Sequence, residues 1–415
     1  MYERGTIVKF RLAFGIVLPL ALASAAMASG TLYVDGVNGN DSNVCQTVET
    51  ACKTIEHAIS LAPAGESIIV APATYQGPIS ITKNLNIVGA GASTTIIKGL
   101  AYQSGEQGIA AVTIPFQISG AQLNVTLSGL TITGTYNGSG VSTAGVLTIS
   151  DSIISGNGVV PELLDGGGIA NAGVLTISKT TVSGNTANSG GGIYCVSPFV
   201  AGTATMRIIN STISGNSAVV GSDGEFGGGI YAGGCPTTII NSTITGNSAF
   251  GEDGNGGGIF AHATMFVNNS TISGNTAEVG GGIAFYPDLK IKVTLQNSIV
   301  ANNVSLASIQ ENCGNGGTVI SDGYNLSSDD SCNFNNTGDM NDTDPKLGPL
   351  QNNGGPTETM ALLCMSPAIN AGNPIGCTDG HGHLLHTDQR GDKRPGDPAL
   401  ATGCDIGAYE VQFPK

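Results

Sequence analysis

Carboxylates, aromatic rings and histidines are the residues of this chain that could carry chemistry, and each type gathers at its own kind of place. Acidic residues collect in short loops of variable length: Glu162 and Asp165, Asp223 and Glu225, Glu252 and Asp253, and Glu278. Carboxylates stacked at neighbouring levels can hold Ca²⁺ or act as an acid/base pair on a sugar. The same residues also read as a solvated acidic edge that keeps a sparsely charged surface soluble. They hold no fixed offset from the motif that follows them, which favours the edge. That motif is Gly-Gly-Gly-Ile, and the residue after it is Ala170, Tyr194, Tyr231, Phe260 and Ala284 in turn. If the Ile points inward on a strand, its neighbour points outward. Three rings then stand one above another, as a self-stacking ladder worth about 0.5–1.5 kcal/mol per pair or as a platform for sugar rings. The ladder is the favoured reading. Tyr194, Tyr231, Phe260, Asp223, Glu225 and Asp253 are the candidate carbohydrate contacts.

Other chemistry finds less support. His381, His383 and His386, with Asp379 and Asp388 nearby, have the residue types of a metal site. Their spacing matches no known ligand signature, so no metal is assigned there, and no cofactor is expected beyond Ca²⁺ at the acidic loops. His57 reads as a surface side chain. Only His262 lies among the central repeats, so no Ser-His-Asp or Cys-His nucleophile can be assembled.

The elements that must position these residues are repeats. Leu147–Asn157 reads Leu-Thr-Ile-Ser-Asp-Ser-Ile-Ile-Ser-Gly-Asn, and its close returns as Lys179–Asn185, Asn210–Asn216, Asn241–Asn247, Asn269–Asn275 and, worn, Asn297–Asn303. The closing asparagines are 28 or 31 residues apart. Such a period marks stacked units that cannot bury an apolar face alone. Within each unit, apolar residues alternate and Thr, Val and Ile dominate, with Gly and Asn between, which is a short-strand pattern. The ladder of closing asparagines reads as structural, each amide satisfying polar backbone at a bend. Asn-Ser-Thr at 210, 241 and 269 matches a glycosylation sequon, but a stacked corner explains its recurrence better.

A coil of short parallel strands is a β-helix, and the repeat resembles those of right-handed parallel β-helix proteins of the pectate-lyase-like superfamily. The opening strands, Ser67–Tyr75 and Leu85–Gly91, are similar to the first coils of many extracellular β-helix proteins, and Val125–Thr135 is a degenerate early copy with Thr135 in the asparagine's place. The resemblance implies an all-β solenoid and raises polysaccharide cleavage, by a glycoside hydrolase or a lyase working through the acidic loops, as the alternative to non-catalytic glycan binding. Lyase-type β-elimination needs an Arg or Lys base beside carboxylate-held Ca²⁺. Between Gly99 and Leu289 the basic residues are Lys179 and Arg207, each alone at its level. An acidic groove also repels a polyuronate. A lyase is therefore disfavoured.

Composition sets the compartment. Met1–Ala28 places Arg4, Lys9 and Arg11 before an apolar run and ends in Ala-Met-Ala, the pattern of a secretory signal peptide. Removing it takes the net charge from −15 to −17, which excludes phosphate-driven nucleic-acid binding and attraction to an anionic membrane. No later segment is long and apolar enough to span a membrane. The 63 glycines follow no Gly-X-Y period, so corners of a solenoid account for them. Nine cysteines in an exported chain suggest disulfides with one thiol left over. Cys45 and Cys52, Cys195 and Cys235, Cys313 and Cys332, and Cys377 and Cys404 are candidate pairs, with Cys364 odd, although spacing alone leaves other connectivities open.

Four regions result: the signal peptide (1–28), an N-terminal cap (29–66), the β-helix repeats (67–343) and a C-terminal module (344–415). In the cap, Ile55, Ala58, Ile59 and Ala62 sit at helical spacing within Lys53–Ala62, as a short helix covering the open first coil requires. In the module, Ser366–Gly372, Asp388–Gly391, Arg394-Pro395 and Cys404–Glu410 resemble the choice-of-anchor Q module of exported bacterial β-helix proteins. That resemblance implies bacterial export and a sorting tail. The sequence given stops at Lys415 without one, so release or non-covalent retention at the cell surface is the expectation.

Overall fold

This computed structural model describes residues 30–100, 109–114, 122–158, 165–197, 204–219, 226–251, 254–286, 291–307, 311–314, 316–396 and 403–413. The expected signal peptide (1–28) and Glu162, Asp223, Glu225, Glu252 and Asp253 lie outside them. The alternating segments form four parallel sheets stacked along the molecule, the shortest confined to its central coils. In coil order after the Gly triplet they are called IV, I, II and III; one full coil is Ile230–Gly233 (IV), Thr237–Ile240 (I), Thr243–Thr245 (II) and Ser248–Phe250 (III). Among the described residues the sheets have eight, eleven, ten and five strands respectively. Like residues pair with like: Ile193, Ile230, Ile259 and Ile283 in sheet IV, and Val182, Ile213, Ile244 and Ile272 in sheet II. All eight are fully buried, and removing each such side chain from water contributes roughly 1.5–3 kcal/mol. The fold is an all-β, right-handed parallel β-helix.

Polar ladders hold its corners. Between sheets II and III, Asn216 donates its backbone N–H (3.0 Å) and its side-chain Nδ2 (2.9 Å) to Asn247 Oδ1, and Nδ2 also donates to the Val182 carbonyl of the preceding coil (2.9 Å). The pattern runs from Asn157 to Asn303, starts at Thr135, whose N–H donates to Asn157 Oδ1, and finishes on Asn312, which the repeat does not mark. Between sheets I and II, Asp151, Lys179, Asn210, Asn241, Asn269 and Asn297 adopt left-handed φ of 46–51°, a conformation that Asn and Asp tolerate best after Gly. Each is followed by Ser or Thr whose hydroxyl donates to the carbonyl two residues back, as Ser211 Oγ does to Ile209 (2.8 Å). The same hydroxyl accepts the N–H of its counterpart one coil earlier, as Ser242 Oγ does from Ser211 (3.2 Å). Asn-Ser-Thr is thus a corner, and Asn241 and Asn269 are buried. Close approach explains the Gly triplet: a Cβ at Gly228 would lie 2.2 Å from the Ser248 carbonyl oxygen, and one at Gly229 would lie 2.6 Å from that of Gly258.

At the N-terminal end, Thr31–Val34 already pairs with Ser67–Val70, so sheet I starts upstream of residue 67. The helix Ile55–Leu61 is capped by Thr54, whose hydroxyl accepts the His57 N–H, and it buries Ile55, Ala58 and Ile59. It lies against Thr31–Val34, Ser67–Val70 and Ile79–Ser80. Lys83 Nζ donates to the carbonyls of Ile59, Ser60 and Ala62, satisfying the helix's last turn. No helix among the described residues is long and apolar enough to cross a membrane. Cys45–Cys52, Cys195–Cys235, Cys313–Cys332 and Cys377–Cys404 are disulfides, and Cys364 is an exposed thiol.

The C-terminal segment does not extend the solenoid. After the antiparallel pair Leu347–Gln351 and Thr359–Leu362, it lies back along the outer face of sheet II. Thr212 Oγ1 donates to the Glu358 carbonyl (2.6 Å), Thr243 Oγ1 donates to Gln389 Oε1 (2.6 Å), and the Ala408 N–H donates to Thr271 Oγ1 (3.1 Å). Asn241 and Asn269 donate to the Thr387 and Thr378 carbonyls. Inside this segment sits a buried charge cluster, in which Asp388 pairs with Arg390 at 2.8 Å and Glu410 with Arg394 at 3.3 Å. Arg390 also lies over the Tyr409 ring, its guanidinium carbon 3.7 Å from the centroid.

Burial pushes the Glu410 carboxyl up to about 7; Arg394 opposes this and Asp405 adds to it. Asp405 is raised in the same way, by burial above all. The folded chain therefore keeps protons that the unfolded chain releases above the ordinary Glu value of 4.5, so this cluster's stabilisation is complete below that value and declines as pH rises through about 7. The melting temperature is expected to fall between about pH 5 and about pH 8, with a shallower fall in Glu410→Gln. An equal slope in both proteins would show that this carboxyl does not set it.

Candidate functional site

Sheet IV presents one outward column. Thr113, Ser142, Ala170, Tyr194, Tyr231, Phe260 and Ala284 are successive partners in register, so the column begins with small side chains and turns to rings. Tyr194 and Tyr231 stack with centroids 4.8 Å apart, and Tyr231 and Phe260 at 5.6 Å. The rings thus form the stacking ladder that the sequence favours. Phe260, however, is only 1% exposed. Phe226 packs across it at 4.5 Å and Tyr286 meets it edge-on at 6.4 Å, with His262 stacked on Tyr286 in turn. Alternation aims Phe260 outward as expected, but these neighbours cover it, so it is withdrawn as a sugar contact. Tyr194 and Tyr231 remain half-buried.

Where the column drops from Tyr194 to Ala170, a cleft of about 300 Å³ opens, lined by Thr113, Ser142, Ala170, Asn171, Asp165 and Tyr194 among others. Asp165 precedes the triplet Gly166–Gly168, and Tyr194 follows the triplet of the next coil, Gly190–Gly192, so the stacked triplets bring carboxylate and ring together. The Tyr194 hydroxyl and the Ser189 N–H beside Asp165 favour its charged form, but burial outweighs both and pushes its carboxyl above the usual range. Burial, then the Asp165 charge, drives the Tyr194 hydroxyl well up, so it stays protonated. Tyr231 is raised by burial, then by Asp165 and Tyr286. The sequence holds both residues, one in an acidic loop and one in the ring column, but does not join them. The stacking of one Gly triplet on the next was the signal that could have done so. Asp223, Glu225 and Asp253 lie outside the described residues and cannot be placed against this cleft.

The remaining candidates do not converge. Arg207 borders a separate cleft of about 330 Å³ on sheet I, in register between Thr176 and Thr238, with Phe266 beyond. Lys179 is exposed at a corner. His383 Nδ1 lies 3.0 Å from Asp379 Oδ2 on the surface, while Asp388 turns into the buried cluster with Arg390. Among the described residues, the three potential ligands close enough to share an ion are Cys45, Cys52 and His57, and both cysteines are in a disulfide.

No family model matches the chain, and no curated protein matches it. Among solved structures it is similar to the pectate lyase Pel9A, at 15% identity over 92% of this chain and 96% of that one, with a TM-score of 0.47. XylC in complex with xylose matches at 9% identity over 92% and 98%, with a TM-score of 0.41. The GH136 lacto-N-biosidase from Eubacterium ramulus matches at 11% over 71% and 67%, with a TM-score of 0.33. Likeness this distant carries no activity across, and this chain's own side chains must supply the functional argument.

Proposed function

We propose that this chain is an exported bacterial β-helix protein that binds extracellular polysaccharide on sheet IV without cleaving it. The observation that carries the reading is the step from the Tyr194–Tyr231 stack to a shelf of Ala, Ser and Thr side chains, with one carboxylate at the corner. Such a step offers a ring for a sugar face and hydroxyls for its edges. The Asp388–Gly391, Arg394-Pro395 and Cys404–Glu410 motifs of the anchor-like module build the buried cluster that fastens the C-terminal segment to sheet II. We read that segment as the part that retains the protein at the cell surface.

The full chain, incubated with insoluble polysaccharides, is expected to sediment with at least one of them. Tyr194→Ala should weaken that binding roughly tenfold, the equivalent of one lost ring contact of about 1.4 kcal/mol. Binding is expected to be equal with Ca²⁺ and with a chelator, because the cleft offers one carboxylate where Ca²⁺ takes about six to eight oxygen ligands. Unaltered binding by Tyr194→Ala would remove the cleft from the function.

A second reading rests on the carboxyl of Asp165, in the cleft beside Tyr194 and raised by burial, which suits a general acid in glycoside hydrolysis. Released oligosaccharides that disappear in Asp165→Asn would establish it and displace the non-catalytic one.

A further inference from the structure

We infer that the cleft beside Tyr194 takes an amine-bearing sugar, a glucosamine-type glycan with free amino groups, held by Asp165 as counter-ion and by the open face of Tyr194. The inference rests on the glycan-binding reading above and narrows its ligand class.

Three observations converge on a cation. Asp165 is the one charged side chain among the described residues lining the cleft, so it has no basic partner there. The Tyr194 hydroxyl and the Ser189 N–H lie near its carboxylate, whose two oxygens offer about four acceptor sites. A half-buried carboxylate left in that state gains from an incoming ammonium, which donates up to three hydrogen bonds and brings the opposite charge. Tyr194 supplies the second element. One face of its ring stacks on Tyr231, and the next residue of the column on the other side is Ala170, whose methyl group leaves the opposite face to the cleft. An ammonium over a tyrosine face is attracted by the ring quadrupole. The third observation is the net charge of −15, which draws polycations and repels polyuronates at long range. Thr113 and Ser142, in register beyond Ala170, place hydroxyls where the next sugar along the column would lie.

The test is titration calorimetry of the full chain at about pH 6, where most glucosamine amines are charged, with oligomers of glucosamine, N-acetylglucosamine and galacturonate as probes. The glucosamine oligomer should bind at least roughly tenfold more tightly than its N-acetylated counterpart, as one charge-assisted contact supplies. That advantage should shrink with added salt, and the galacturonate oligomer should be rejected. Asp165→Asn should abolish the advantage, so that the glucosamine oligomer binds no more tightly than its N-acetylated counterpart. An N-acetylated or galacturonate oligomer binding as tightly as the free amine would overturn the inference, as would a preference that survives Asp165→Asn. If neutral oligomers bind, depend on Tyr194 and show no amine preference, the glycan reading stands and this one falls. Failure of every oligomer to bind sinks both.

Discussion

Asn216→Ala is expected to cost about 3–5 kcal/mol, an unusually large loss for one polar side chain. Asn216 Oδ1 accepts two hydrogen bonds from Asn185, from its N–H at 3.1 Å and its Nδ2 at 2.9 Å. Its own Nδ2 donates to Val182 O and Asn247 Oδ1. Alanine removes all four bonds at a site with no access to water, and each polar group left unsatisfied there costs about 1–3 kcal/mol. Asn216→Asp should be at least as harmful at neutral pH. Its carboxylate would still accept from Asn185, but it would face the Val182 carbonyl and Asn247 Oδ1 with a negative charge. The checks are the urea midpoint and hydrogen exchange in the coils carrying Asn185 and Asn247. Exposed Asn352→Ala serves as the comparison, expected within about 0.5 kcal/mol of the parent. An Asn216→Ala chain within that same margin would mean that apolar columns alone hold the coils in register.

Arg394→Met is expected to release the C-terminal segment from sheet II while leaving the β-helix folded. Arg394 is buried with Glu410, and its guanidinium donates to the carbonyls of Asp405 (2.9 Å) and Gly407 (2.5 Å). Removing the cation leaves the Glu410 and Asp405 carboxyls facing one another without a counter-charge, a loss of about 3–5 kcal/mol for a broken buried pair. Limited proteolysis should then cut within residues 344–411, and near-native far-ultraviolet dichroism should persist. The double variant Arg394→Met/Glu410→Gln should regain part of the loss, because the stranded charge is gone. Native protease resistance in Arg394→Met would show that the contacts of Gln389 with Thr212 and Thr243 suffice to hold the segment.

Much of this architecture is legible along the chain. Asn157, Asn185, Asn216, Asn247, Asn275 and Asn303 recur because every coil repeats one bend, and one bend has one set of polar groups to satisfy. The stacking of Tyr194 on Tyr231 follows from the same repetition, since equal offsets from a Gly triplet become equal positions on neighbouring strands. The four disulfide pairs link cysteines that the repeat or short loops bring near one another. A resemblance carried by such repeats conveys fold and little chemistry, because the repeating residues are those that make corners and core.

What escaped the sequence has a common cause. Phe260 was legible as outward but not as covered, because Phe226 and Tyr286 reach it from outside its strand. Asn312 completes the asparagine ladder nine residues after Asn303, off the period. Tyr194 was visible as a candidate contact and Asp165 only as one of the acidic loop residues, because their meeting depends on how a loop of unrepeated length enters its triplet. The largest gap is the C-terminal segment, whose Glu358 and Gln389 meet Thr212 and Thr243 from 146 residues away. The sequence by itself determined the coil, its ladders and the face each repeated residue takes, because each of these is a local choice made again at every turn. Only the tertiary structure decided which parts of those faces stay open to a ligand, because a face is covered by groups that share no period with it.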